Sequence, residues 1–229
     1  MLDKAETWLK ESLDYQFNDA RLLQQALTHR SVPGDNNERL EFLGDAVLDV
    51  VISEVVFRSH AHAPEGDLSR LRASLVKDTS LDKLASNLGV GEHLILGGGE
   101  RKTGGHRRES ILADALEAIF GAVYLDAGFE GAREIIQRAF GDRLYDLPSV
   151  DELRDPKTRL QEWLQARGLG LPTYELVNVS GKAHRQTFEV HCMVSDSAAV
   201  TGGSGTTRRD AEQESAKKML RELVGSDRQ

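Results

Sequence analysis

Four carboxylates, Glu38, Glu41, Asp45 and Asp49, recur at three- and four-residue spacing in an otherwise apolar stretch. On a helix that turns about 100° per residue they fall within an arc of about 80°. Like charges so spaced cost ~0.2–0.5 kcal/mol per pair even when solvated. Partial burial against Phe42, Leu43 and Val47 raises that cost and pushes the acids' pKa values up, so a cation is expected beside them. Asp114 and Glu117 repeat the pattern within a second apolar stretch, Ile111 to Ala118. Packed together, two such helices would form an all-oxygen pocket, and hard oxygen ligands without His or Cys favour Mg²⁺ or Mn²⁺ over Zn²⁺. The alternative is a solvated acidic face paired with Arg39, Arg107 or Arg108; acids on both apolar helices favour the metal pocket. Magnesium held by few protein carboxylates usually works on phosphates. The pattern by itself therefore points to a metal-dependent phosphate or phosphodiester hydrolase.

These acids need elements to position them. From Lys4 to about Phe140 apolar residues recur with helical spacing, and Gly or Pro clusters separate the segments. Leu40–Phe57 and Ile111–Tyr124 are apolar nearly all round, as in helices at the centre of a bundle or in a subunit interface. The glycine-rich stretch 97–105 reads as a mobile loop. It is not a phosphate-binding P-loop, because Arg101 and not glycine precedes Lys102. A boundary falls between about Gly141 and Asp155, where Pro148-Ser149 interrupts a polar stretch. Asp155-Pro156 then has the form of an N-cap followed by proline at the first helical position, opening a helix to Arg167 that Gly168 can end. Beyond it the period changes to two: a strand around Tyr174–Val177, a second through Phe188, Val190, Cys192 and Val194, and a third over Ser197–Thr201. Asp210–Val224 is helical again. The expected architecture is α + (α+β): an all-helical domain over 1–150, followed over 155–229 by a small α-β-β-β-α module.

Composition sets limits. With 39% hydrophobic and 29% charged residues the chain can build a core. Its net charge of −8 argues at first against a nucleic-acid binder, but residues 1–150 hold 17 basic and 25 acidic side chains, whereas residues 151–229 hold 12 of each. The acid excess lies wholly in the first part, and the two parts should meet different partners. One cysteine, Cys192, excludes an intrachain disulfide framework and a multi-cysteine zinc site, and its alternating neighbours make it a core residue. No signal-peptide core opens the chain, and the longest apolar stretch, Ala46–Phe57, is interrupted by Asp49 and Glu54. These features lead to the expectation of a soluble, cytoplasmic protein without a membrane partner.

The second module carries candidate RNA contacts. Arg208 and Arg209 at a helix start oppose the macrodipole, a conflict that a phosphate lying across that end would relieve; a solvated basic pair is the alternative. Lys182, His184 and Arg185 cluster in a probable hairpin loop, and Gln161 and Gln165 share one helix face. Helix, loop and helix start could meet a minor groove, a phosphate-lined major groove and a second minor groove of duplex RNA. The absence of interleaved aromatics disfavours a single-strand platform.

The segment Asn37-Glu38-Arg39-Leu40-Glu41-Phe42-Leu43-Gly44-Asp45 resembles the signature of the ribonuclease III family. Leu27-Thr28-His29-Arg30-Ser31, Glu65–Arg70 and Arg107–Asp114 match that family in its order. Gly181, His184 and Phe188, followed by Gly203-Ser204-Gly205, Arg208-Arg209 and Ala211-Glu212, resemble a double-stranded RNA-binding domain. The resemblance implies a homodimer formed through the endonuclease domain. It also implies cleavage of both strands of duplex RNA to give 5′-phosphates and short 3′ overhangs, in the processing of ribosomal and other structured RNA precursors. Carried over by position, Glu41, Asp45, Asp114 and Glu117 would hold Mg²⁺, with Mn²⁺ able to substitute, and Asp45 and Glu117 would be indispensable to catalysis. Glu38 and Glu65 would be supporting acids in RNA contact or subunit pairing. Gln161, Gln165, His184, Arg208 and Arg209 would bind RNA. Asp49 is not required by the family pattern and His29 lacks metal-ligand spacing, so both are expected in structural roles. A duplex-RNA-binding regulator that does not cut, and a small-nucleotide phosphohydrolase, are the competing readings. Because phosphate contacts release counterions, RNA affinity should fall steeply with salt; a salt titration of binding with little slope would contradict the RNA-binding reading.

Overall fold

The computed structural model describes the chain except Met1, Pro148, Val150–Glu152, Ala183–His184, Asp196–Ala198 and Asp227–Gln229. The chain divides into two compact units, Met1–Pro148 and Ser149–Gln229.

The first unit is helical among its described residues: α1 (Leu2–Leu13), α2 (Ala20–Ala26), α3 (Glu38–Ser59), α4 (Glu65–Val76), α5 (Asp78–Leu88), α6 (Gly98–Lys102) and α7 (Glu109–Phe140). The two segments apolar on nearly all sides became α3 and α7, which pack against each other at the centre of the unit. Leu48, Val51 and Ile52 of α3 and Ala115, Leu116, Ile119 and Phe120 of α7 are fully buried. Burying each large side chain contributes about 1.5–3 kcal/mol. What sets the closeness of the pair is glycine. A Cβ added at Gly44 would fall on the Glu117 carbonyl and 2.9 Å from the Gly121 nitrogen; one at Gly121 would fall on the Leu40 carbonyl and 3.0 Å from the Gly44 nitrogen. The backbones therefore touch at this crossing. α7 is interrupted at Gly128, whose φ of 73° and ψ of −172° are strained for any residue with a Cβ.

The stretch 97–105 is not a loop throughout, contrary to expectation. Gly98–Lys102 is a short helix, and Gly105–Arg107 a 3₁₀ turn. Glu100 anchors the pair: its carboxylate meets Arg108 at 2.6 Å, and a Cβ at Gly105 would lie 2.7 Å from Glu100 Cγ. Glycine serves close packing at Gly105, and this is why composition alone misread the segment.

In the second unit α8 (Pro156–Gln165) precedes an antiparallel sheet ordered β1 (Thr173–Lys182), β2 (Arg185–Met193), β3 (Val200–Gly205), and α9 (Arg208–Ser226) follows. The helix start is as expected: Pro156 occupies the first turn and the Asp155 carboxylate accepts the Thr158 N–H at 2.9 Å. The helix ends at Gln165, two residues earlier than expected, as Gly168 turns left-handed (φ 67°) and Leu169 N–H closes onto Leu164 O at 3.0 Å. The third strand lies at Val200–Gly205; of the stretch expected there, Ser197 and Ala198 are outside the described residues. Three glycines in that strand hid it, yet they suit the place. A Cβ at Gly203 would strike the Ala211 carbonyl, and one at Gly205 would lie 2.5 Å from Asp210 Cβ, so α9 rests directly on the strand backbone. Leu160, Leu164, Cys192, Val194, Ala216 and Met219 form this unit's core. No helix of the described residues is long and apolar enough to cross a membrane.

Gly44→Ala should overpack the α3–α7 crossing against backbone that cannot rotate away. A loss of about 2 kcal/mol or more outweighs the ~1 kcal/mol gain in helix propensity. Thermal unfolding should show a clear drop in Tm for this variant, whereas Gly98→Ala, which meets nothing within 4 Å, should leave Tm unchanged or raise it.

Candidate active site

The α3–α7 contact decides which acids meet. Gly44 lies between Glu41 and Asp45 on one helix, and Gly121 is one turn beyond Glu117 on the other. The close crossing thus brings the α3 acids against Asp114 and Glu117. Carboxylate oxygens of Glu41, Asp114 and Glu117 all lie within 4.8 Å of one another. Asp45 is outside this tight group, although its charge is the largest of those that act on Glu117. Among the described residues no ion pair reaches any of the four. Arg108, one of the cations considered for neutralising them, is held by Glu100 instead.

The electrostatics follow from this crowding. Burial, then Asp45, Glu41, Asp114 and Asp78, push Glu117 up to about 8. Burial raises Glu41, reinforced by Asp114 and Glu38 and opposed by Arg30. Asp45 is raised by burial and by Asp49. Burial also raises Asp114, with Asp78 adding to it and His29 and Arg30 opposing. All four shifts have one sign: burial and mutual repulsion outweigh the opposing pull of Arg30 and His29. An all-oxygen donor set with three oxygens this close, and no protein cation paired to it, fits a divalent metal such as Mg²⁺.

The remaining predicted residues fall in several places. Glu38 is exposed at the first turn of α3 and pairs with Arg30 at 3.5 Å; both line a cavity of 170 Å³ together with His29, Asn37, Glu41 and Asp114. Glu65 stands apart from the acid cluster. It is exposed at the start of α4, accepts the Ser69 hydroxyl at 2.7 Å, and lines a different cavity with Ser53, Phe57 and Arg72. Asp49 pairs with Arg72 at 3.8 Å, in the structural role expected. His29 is buried. Its Nδ1 accepts the Ser31 N–H at 3.2 Å, and its backbone N–H donates to Ile95 O at 3.0 Å.

Sequence reasoning missed Asp78 and Asn37. Asp78 opens α5, where an acid reads simply as a complement to the helix dipole, so nothing marked it as part of the field on Glu117. Asn37 belonged to the matched signature but was assigned no role.

In the second unit Gln161 and Gln165 are both exposed on α8, and Arg208 and Arg209 are exposed at the start of α9. His184 lies outside the described residues. The helix start is less bare than its two arginines suggested. Asp210 accepts the Thr207 N–H at 3.2 Å while Thr207 Oγ1 accepts the Asp210 N–H at 3.1 Å, a reciprocal cap. Arg208 is held by Glu212 at 2.9 Å, and Glu212 also takes Lys157 at 2.6 Å. Local acids therefore relieve the dipole conflict without a phosphate; Arg209 has no ion-pair partner among the described residues.

Comparison with known proteins agrees with this division. Residues 19–144 match the family model described as Ribonuclease-III-like, and residues 156–223 match the double-stranded RNA binding motif. A protein named Ribonuclease 3 from Alkalilimnicola ehrlichii is 54% identical over 215 residues, 94% of each chain. Another from Coxiella burnetii is 53% identical, over 93% of this chain and 91% of its own. The solved nuclease domain of ribonuclease III from Campylobacter jejuni superposes with a TM-score of 0.58 at 49% identity, covering 60% of this chain and 96% of that one. A helical nuclease unit followed by a three-stranded RNA-binding unit, matched to such relatives over nearly its whole length, makes this chain a member of the ribonuclease III family.

Proposed function

We propose that this nuclease hydrolyses both strands of double-stranded RNA, leaving 5′-phosphates and short 3′ overhangs. Residues 1–150 act as the endonuclease domain and residues 155–229 as the RNA-binding domain. The observation that carries the reading is the cluster of Glu41, Asp114 and Glu117, with no ion-pair partner among the described residues and flanked by Asp45. These four would hold Mg²⁺, or Mn²⁺ in its place, which when bound offsets charge on the phosphodiester and lowers the pKa of water. Hydrolysis adds a water oxygen to phosphorus and breaks the bond to the 3′ oxygen, which leaves with a proton. The chain's part is to aim carboxylates from two rigid helices at one point, where they hold the cation and accept hydrogen bonds from the attacking water. Asp45 and Glu117 are the acids whose loss this reading tolerates least. Gln161, Gln165, His184, Arg208 and Arg209 would keep the duplex bound, with Arg209 the readiest for phosphate. Processing of ribosomal and other structured RNA precursors in the cytoplasm belongs to the same reading and rests on the relationship to the Ribonuclease 3 proteins.

A second copy of the chain would complete the arrangement. Phe42, Val50 and Phe57 are 81%, 55% and 69% exposed, and with Ala46 and Ser53 they occupy an arc of α3 about 80° wide next to the acid stripe. Large apolar side chains in a row call for a partner. Glu65 borders the same stripe through the cavity it shares with Phe57, which suits a supporting acid at a subunit junction. The Campylobacter jejuni nuclease domain is described as having a region involved in dimer formation. Phe57→Glu should fold normally, its side chain being exposed, yet sediment as a monomer at concentrations where the native chain is a dimer.

Cleavage of a labelled RNA duplex with Mg²⁺ tests the central reading: the native chain should cut, and Glu117→Gln should bind without cutting. Binding by both with cleavage by neither would return the acids to a structural role. Stability gives an independent check. A folded-state pKa of about 8, above the ordinary 4.5, means that Glu117 favours the metal-free fold fully below about 4.5 and that this contribution is lost as pH rises to about 8. The metal-free native chain should therefore melt lower at pH 8.5 than at pH 6, with Glu117→Gln narrowing the difference. Mg²⁺ should raise the native Tm at pH 8.5 and affect the variant less.

A further inference from the structure

The cavity beside the acids has a second chemical character. Three of its lining residues, Glu38, Glu41 and Asp114, are carboxylates; the other three, His29, Arg30 and Asn37, can donate hydrogen bonds. Arg30 pairs with Glu38 at 3.5 Å, and the His29 ring accepts the Ser31 N–H through Nδ1.

Asn37 occupies the N-cap of α3, where asparagine normally turns its side chain back to cap the first turn. Here it makes no such bond; Asn36 does the capping, its Oδ1 accepting the Glu38 N–H at 3.1 Å. The Asn37 backbone is tied on both sides, its N–H donating to Thr28 O at 2.9 Å and its carbonyl accepting the Glu41 N–H at 2.8 Å. Only 3% of the residue is exposed, and its carboxamide has no hydrogen-bond partner among the described residues. Its amide is therefore left free to bond to whatever enters the cavity whose wall it helps to form.

We propose that the Asn37 carboxamide donates a hydrogen bond to a nonbridging oxygen of the scissile phosphodiester, making it a catalytic residue that touches substrate. The chemistry favours a neutral group at this position. A phosphate brought among carboxylates needs a donor as well as a cation, and an arginine would pair with the acids, as Arg30 does with Glu38. An amide donates to the phosphate without neutralising the carboxylates that must hold metal.

This inference rests on the phosphodiesterase reading above, and the test separates the two. Single-turnover cleavage of duplex RNA at saturating enzyme and Mg²⁺ is compared for the native chain, Asn37→Ala and Asn37→Asp, using all-oxygen RNA and each phosphorothioate diastereomer at the scissile position. Asn37→Ala should cut about ten- to hundredfold more slowly, the loss of one hydrogen bond to a charged group. RNA affinity measured without metal should stay unchanged. Asn37→Asp is nearly the same size but adds a fourth carboxylate to the cavity wall, so it should melt somewhat lower without metal, recover with Mg²⁺, and still cut at least as slowly as the alanine variant because an ionised carboxylate cannot donate. For one diastereomer, the penalty for replacing oxygen by sulfur should shrink in both variants. Native rates in Asn37→Asp, or slower cutting with an unaltered sulfur penalty, would overturn the proposal. A native chain that leaves duplex RNA intact would remove the reading beneath it; a native chain that cuts, with variants cutting equally fast, would remove this proposal alone.

Discussion

The contact between α3 and α7 is made through backbone at Gly44 and Gly121, and the rest of the first unit is arranged around it. Two helices with ordinary side chains at their crossing keep their axes 8–10 Å apart. Glycine on both removes that spacer. The acids at Glu41 and Asp45, which bracket Gly44, are then carried against Asp114 and Glu117. Flanking leucines, isoleucines and valines hold the approach, but they could do so at several separations. The glycines determine that the separation is short enough for three carboxylates to converge.

That convergence works against the fold. Burial and mutual repulsion raise the pKa of all four acids, that of Glu117 to about 8. A surface evolved for stability alone would place lysine or arginine among them. The nearby cations are instead occupied elsewhere: Arg30 with Glu38, Arg72 with Asp49, Arg108 with Glu100. Local stability has been given up in favour of a site that a divalent cation completes, the usual trade where binding or catalysis requires concentrated charge. The second unit follows the opposite rule. Arg208 at the start of α9 and Lys157 at the start of α8 are balanced by Glu212, and the α9 start is capped by Thr207 and Asp210, so that unit holds together without help from a ligand.

Much of this was legible beforehand. The period of the apolar residues located α3 and α7, the Asp155-Pro156 pair marked the start of α8, and alternation identified β2. The two misplaced stretches are both rich in glycine. Gly97–Gly105 contains a helix tied down by Glu100, and Gly202, Gly203 and Gly205 lie in a strand because α9 needs their bare backbone. In both places glycine permits close approach, and spacing along the chain carries no information about what approaches.

By itself the sequence determined the type of site and the ingredients for it: carboxylates on one face of each of two apolar helices, and a separate module with basic residues at a helix start. Those follow from local periodicity and charge, which act over a few residues. The tertiary structure decided which acids converge, setting Glu41, Asp114 and Glu117 together, Asp45 at their edge and Glu65 apart. It also brought Asp78 into the field and turned the Asn37 amide away from capping toward the cavity. These outcomes depend on the separation and rotation of helices far apart in the chain, quantities fixed by how side chains and bare backbone fill the space between them.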